Sequence, residues 1–211
     1  MNQLESTLFR VLHVFASYLA IQLLWFFFSL GVVTIIPATL AMYAVILDWS
    51  RNGVDIIGVW RNFFQSFQFY FKNTLLIALN VVFAITLFVM YVSETPFFFE
   101  GSHLFLQIGW WFMVSVFLLT LISMVPLAVS SHLKGLKLWK NAWIASLTLL
   151  PQVLLIGSIG GIFALISVYI PMAFVAAISV FAFLHVSIWQ QGMKKMPEDF
   201  LDECLFKYRY R

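Results

Sequence analysis

Four long stretches of the chain hold no Lys, Arg, Asp or Glu: residues 11–47, 73–93, 101–133 and 141–193. A charge buried in hydrocarbon is costly and a long apolar run in water is unfavourable, so stretches of this kind read as membrane spans. Composition agrees, with 63% apolar and 10% charged residues, where a water-soluble domain carries about 25% charged. A hydrocarbon core of ~30 Å takes about 20 helical residues at ~1.5 Å each. That ruler predicts spans at 11–36, 74–92, 104–129, 142–167 and 171–190. The expected fold is all-α, a polytopic transmembrane helical bundle of five spans forming a single integral membrane domain over 1–211. An amphipathic helix at 55–72 and a cytoplasmic tail at 191–211 complete it.

Proline and glycine set the boundaries. Pro37 lacks the amide hydrogen a helix interior needs and is expected to break the first span. The piece that follows, 38–49, is apolar but about half the length of a crossing, so it reads as interfacial or half-inserted. If it instead returns across the membrane, the count becomes six. Between spans four and five, Pro171 suits a first helical turn, with Gly160-Gly161 as the alternative hinge. Gly157 and Gly161, four apart, fit a close helix contact. The first apolar run is much longer than a signal-peptide core and no A-x-A-like site follows it, so it is expected to be retained.

Orientation follows from the few charges. In a five-span arrangement, eleven of the twelve Lys and Arg fall on one side, in the segments 50–73, 130–141 and 191–211; only Arg10 lies opposite, with the acidic segment 94–103. Basic segments stay in the cytoplasm, which predicts an outside N-terminus and a cytoplasmic C-terminus in a bacterial cytoplasmic membrane. The six-span alternative puts Arg10 inside as well. The same distribution argues against a nucleic-acid partner, because the basic residues form short flanks rather than a patch. The single cysteine, Cys204, cannot form an internal disulfide.

Within 55–72, Ile56, Trp60, Phe63, Phe64, Phe67 and Phe71 recur at steps of three and four, while Arg61, Asn62, Gln65, Ser66 and Gln68 fill the opposite arc. This is the pattern of an amphipathic helix. Lying in the cytoplasmic interface, it would set its aromatic rings at headgroup depth; the sharper reading makes it a docking helix. Trp60, Phe63, Phe64, Phe67, Phe71, Lys72 and Asn73 are the residues that would carry either role. Phe71-Lys72-Asn73 and Trp139-Lys140-Asn141 open two similar segments, each after a proline, Pro37 and Pro126, which suggests a weak parallel repeat. In the tail, acidic Glu198 and Asp199 precede basic Lys207, Arg209 and Arg211, an order that suits a helix dipole.

Searches for chemistry return little. There is no P-loop, HExxH, Cys/His cluster or G-x-S-x-G elbow, so no catalytic residue, metal or cofactor is expected and the chain is not read as an enzyme. The span interiors offer only His13 and His185, both close to expected span ends. Gln22, Asn80, Gln107 and Gln152 are neutral and read as interhelical glue.

One segment carries a resemblance. In 23–43, LLWFFFSLGVVTIIPATLAMY, the residues Trp25, Ser29, Leu30, Val33, Thr34, Pro37, Ala38, Thr39, Ala41 and Tyr43 match the signature of the YesL-like family of uncharacterised bacterial membrane proteins, which this chain resembles. Asn62-Phe63-Phe64 to Phe71-Lys72-Asn73 resembles the family's next block. Gly31 stands where the family often has proline and Ile36 where it often has glycine. The resemblance implies no catalytic or ligand-binding roles; it implies a setting in carbohydrate uptake and sensing. The expected function is therefore a non-enzymatic accessory component of a carbohydrate transport or sensing system, whose partners are the lipid bilayer and a membrane transporter or sensor complex. A homo-oligomer is compatible with it. The alternative is a small transporter or channel for an uncharged solute.

Overall fold

The computed structural model describes residues 3–31, 34–55, 58–73, 77–79, 81–83, 85–86, 89–90, 104–131, 133 and 135–195. All regular structure among them is helical: α1 Gln3–Phe28, α2 Ile35–Asn52, α3 Val59–Asn73, α4 Leu104–Ser130, α5 Leu136–Thr148, α6 Leu150–Tyr169 and α7 Pro171–Met193. Short helical stretches also fall between residues 77 and 90.

The outer faces of these helices are apolar. Phe15, Leu23 and Phe27 on α1, Phe112 and Leu118 on α4, and Ile162 and Leu165 on α6 are all exposed. In water such faces would be costly at about 25 cal/mol per Å²; in lipid they are the solvent-facing surface. Three helical segments among the described residues are long and apolar enough to cross a membrane: Thr7–Phe28, Ile108–Ser130 and Leu150–Tyr169. Five spans were expected. Most of the difference lies outside the described residues, which omit much of 74–92 and the side chains of 171–177.

The first expected span, 11–36, is not continuous. Its helix ends at Phe28, and Pro37 stands in the first turn of α2, where its missing N–H leaves no bond unmade. The break is made by Ser29 to Gly31. Thr34 closes it by donating from both N–H (2.9 Å) and Oγ1 (2.7 Å) to the Gly31 carbonyl. A side chain at position 31 would meet Thr34 Oγ1 at 2.8 Å and displace the hydroxyl that closes the turn.

The largest departure concerns 38–49. Rather than a short interfacial piece, this segment is the centre of α2, an 18-residue helix in which ten residues are buried, among them Ala38, Ala41, Met42, Val45 and Ile46. Small residues let neighbouring helices approach closely. α2 packs on α1, α3, α4 and α7 and ends at Gly53, whose φ of 88° suits glycine and whose N–H reaches back to Trp49 O.

Pairs of contacts give the helix directions. Trp25 meets Thr39 and Tyr18 meets Trp49, so α1 and α2 are antiparallel. Tyr43 meets His185 and Ser50 meets Gln190, so α2 and α7 are parallel. Phe163 stacks on Phe181, while Gln152 lies against Gly192, so α6 and α7 are antiparallel. It follows that Arg10, Arg51, Lys194 and Lys195 share one end of the bundle. The five-span expectation had put the chain's start and end on opposite faces; this geometry puts the start of α1 and the end of α7 together.

Two further boundaries change. The expected span 142–167 is divided at Leu149, because Pro151 occupies the second position of a new helix, α6. The amphipathic helix begins at Val59 rather than 55. The glycine pair also resolves differently: Gly157 approaches Ile122 of α4, Gly160 approaches Phe181 of α7, and Gly161 faces open space. The proposed repeat is not reproduced in its prolines, since Pro37 opens α2 whereas Pro126 lies inside α4.

Accessibility labelling tests the shared end. In a Cys204→Ser background, Gln3→Cys and Lys195→Cys are expected to react with a membrane-impermeant maleimide from the same face of oriented vesicles. Labelling from opposite faces would refute this arrangement.

Candidate functional site: a buried polar joint

Helices surrounded by lipid can satisfy side-chain polar groups only on one another or on backbone. α1, α2, α4 and α7 do so along their shared interior. On α7, Ser179, Ala182, His185, Val186 and Trp189 form a buried stripe at steps of three and four. Gln22 of α1 accepts a bond from the Ser179 N–H at 3.1 Å. Trp25 Nε1–H donates to Thr39 Oγ1 at 3.1 Å, and that hydroxyl donates to the Ile35 carbonyl at 2.8 Å. Lower down, Gln190 Nε2 donates to Ser50 Oγ at 2.8 Å.

The centre of the joint is the contact between Tyr43 OH and His185 Nδ1, 2.8 Å apart, with both residues buried. The His185 ring also lies against the Ile122 backbone of α4. The Ile122 carbonyl has no helical partner. Residue 126 would donate to it in a regular helix, and residue 126 is proline. Which of the two groups donates in the Tyr43–His185 contact follows the imidazole tautomer, since Nδ1 accepts from the hydroxyl when neutral and bare and donates to it when protonated. Tyr43, His185 and Ile122 thus join α2, α7 and α4 at one level. Gly157 of α6 lies at the same level, where an added Cβ would stand 3.4 Å from the Ile122 side chain.

The residues singled out in the sequence divide between this joint and its surroundings. Trp25, Thr39 and Tyr43 belong to it. Pro37 is buried at the start of α2. Ser29 donates to Phe26 O, and Thr34 to Gly31 O, both within the turn. The aromatic helix is split. Phe63 is fully buried and Phe67 partly so, whereas Trp60, Phe64 and Phe71 are exposed. Phe28, the last residue of α1, brings its ring within 4.8 to 6.3 Å of Trp60, Phe63, Phe64 and Phe67. Phe63 is therefore core of this chain and not a docking residue. Since Phe28 lies at the end of α1 remote from Arg10, α3 is not confined to the charged end where a cytoplasmic interfacial helix would sit. Lys72 is exposed in the last turn of α3, and Asn73 closes it with a side chain outside the described residues.

His185 is the residue that sequence reasoning undervalued. The 171–190 span puts it close to an end, yet it stands eight residues before Met193 and is 4% exposed. The signal was present, since it is an ionisable residue within an uncharged stretch. Gln22, expected to pair with another neutral polar side chain, bonds the backbone of α7 instead. Asn80, Gln107, the acidic segment 94–103 and the tail from 196 onward, with Cys204, lie outside the described residues or side chains. Among the described residues no group of three His, Cys, Asp or Glu could hold a metal ion.

Residues 18–93 match the family model described as "Protein of unknown function, DUF624". The match supports similarity to an uncharacterised family over α1 from Tyr18, α2, α3 and the segment that follows. No curated protein and no solved structure matches.

A double-mutant cycle tests the central contact. Tyr43→Phe and His185→Leu are each expected to destabilise the protein on unfolding in mixed micelles, and the double variant less than additively. The coupling is expected at about 0.6 to 1.7 kcal/mol, the range for hydrogen bonds between membrane helices. Strict additivity would count against the contact.

Proposed function

We propose that this chain is a non-enzymatic, membrane-embedded accessory component of a bacterial carbohydrate transport or sensing system, related to the YesL-like proteins its 23–43 segment resembles. The observation that carries this reading is the division of α3. Its inner residues Val59 and Phe63 are spent on the chain's own core, while Trp60, Phe64, Phe69 and Phe71 stand exposed beside Arg61, Gln65, Gln68 and Lys72. Aromatic side chains with cationic neighbours are favoured in protein interfaces because they bury large area at small entropic cost. The partner chemistry that fits this face is a transporter within the same membrane.

The shared end of the bundle supports a cytoplasmic location for Arg10, Arg51, Lys194 and Lys195, by the retention of basic flanks. With α1 and α7 both crossing, the number of crossings is even and both termini are cytoplasmic, which favours the six-span form over the five-span form. The antiparallel return of α2 along α1 is the element that changes the parity.

Co-purification in mild detergent tests the docking role. The chain is expected to carry a co-expressed bacterial carbohydrate permease through an affinity step, and a Trp60→Ala/Phe64→Ala variant to lose most of that permease at unchanged own yield. A wild-type chain that always elutes alone would overturn the proposal.

A further inference from the structure

The bundle leaves two different surfaces of α5 uncovered. Its buried side is the stripe Leu138, Ala142 and Ala145, and the helix packs on α4 and α6. At about 100° per residue, the arc beside that stripe holds Trp139, Trp143, Leu136 and Leu147, all exposed. The next arc is basic, with Lys140 and Lys137 exposed. A helix crossing the bilayer would hold those lysines against hydrocarbon, at high cost. A helix lying along the membrane surface turns the apolar arc to the acyl chains and the basic arc to the headgroups. Position agrees with this. Leu149, the residue after α5, lies against Gly192, where an added Cβ would stand 3.1 Å from Leu149 Cδ2. Lys194 and Lys195 follow Gly192 closely, at the end shared with Arg10 and Arg51.

The charge on this face is one-sided. From residue 101 to 197 the chain contains five Lys and no Asp or Glu, so α4, α6 and α7 bring no carboxylate to it. Lys137, Lys140 and Trp143 recur at steps of three, on a ridge that crosses from the basic arc to the aromatic one. Two ammonium groups and an indole N–H can only donate, and tryptophan suits the depth at which headgroups meet acyl chains. The abundant acceptor of opposite charge at that depth is lipid phosphate. A zwitterionic phospholipid offsets its phosphate with its own ammonium group, whereas an anionic phospholipid leaves the charge to be met by the protein.

We infer that the exposed face of α5 is a binding site for an anionic phospholipid of the leaflet at the charged end of the bundle. Lys137 and Lys140 meet the headgroup phosphate, and Trp143 stands at its boundary with the acyl chains. Lys194 and Lys195 add to the same field. The site selects among headgroups by charge, is separate from the exposed face of α3, and does not rest on the docking role proposed above.

Site-specific fluorescence quenching tests it. In a Cys204→Ser background, the full chain labelled with a fluorophore at Leu147→Cys is reconstituted into vesicles of dioleoylphosphatidylcholine. Brominated phosphatidylglycerol is expected to associate at this position at least about fivefold more strongly than brominated phosphatidylcholine, the weight of one basic side chain at an anionic surface. Added salt is expected to reduce that preference. Lys137→Gln/Lys140→Gln keeps good helix formers on an exposed face. It is expected to bring the ratio close to unity, with helicity and reconstitution yield unchanged. A fluorophore at Leu165→Cys, on the lipid face of α6, is expected to show no preference. Equal association of the two lipids at Leu147→Cys, the same preference at Leu165→Cys, or a preference that survives the double substitution overturns the inference. Loss of the preference to inorganic phosphate at constant ionic strength also overturns it, by assigning the lysines to a free anion.

Discussion

The bond between Tyr43 and His185 is the contact on which the rest of the arrangement turns. A hydroxyl and an imidazole taken into an apolar interior must find partners there, and each is the other's nearest choice. Satisfying them fixes the rotation of α2 against α7. That rotation in turn sets Ser50 against Gln190 one end down and leaves Trp25 free to reach Thr39 from α1. Because α2 is buried on nearly all sides, its register is transmitted to every helix that packs on it.

Proline acts in two different ways among the described residues. Pro37 and Pro151 stand in first turns, where a missing N–H removes nothing. Pro126 stands inside a helix, where it releases a carbonyl one turn back. In water such a carbonyl would be solvated and inconsequential. In a lipid-covered bundle it becomes an acceptor that only a neighbouring helix or a bound molecule can use.

Much of the helix inventory was readable in the residues. The 104–129 and 171–190 expectations lie close to α4 and α7, and the aromatic periodicity in 55–72 does form α3. What a hydropathy ruler could not detect was a turn inside an uncharged stretch. Ser29 to Gly31 and Leu149 break helices without any charge to mark them, so 11–36 and 142–167 were each read as one span. The site was half legible. Trp25, Thr39 and Tyr43 stood out through a family pattern, but their partners came from 142 residues away in the case of His185. No periodicity within one segment reports which distant helix will face it.

The sequence by itself determined the solvent. With 10% charge gathered into short flanks, only a bundle of apolar helices facing lipid is compatible with the cost of the alternatives. It also determined which residue types would be left inside to pair. The tertiary structure decided the pairing and, with it, the direction of each helix: that α2 returns along α1, that the two ends of the described bundle lie together, and that His185 is interior rather than terminal. The physical reason is that hydrophobicity is non-directional and specifies depth alone. Hydrogen bonds and close contacts at glycine are directional, and they fix one arrangement among the several that the same depths would allow.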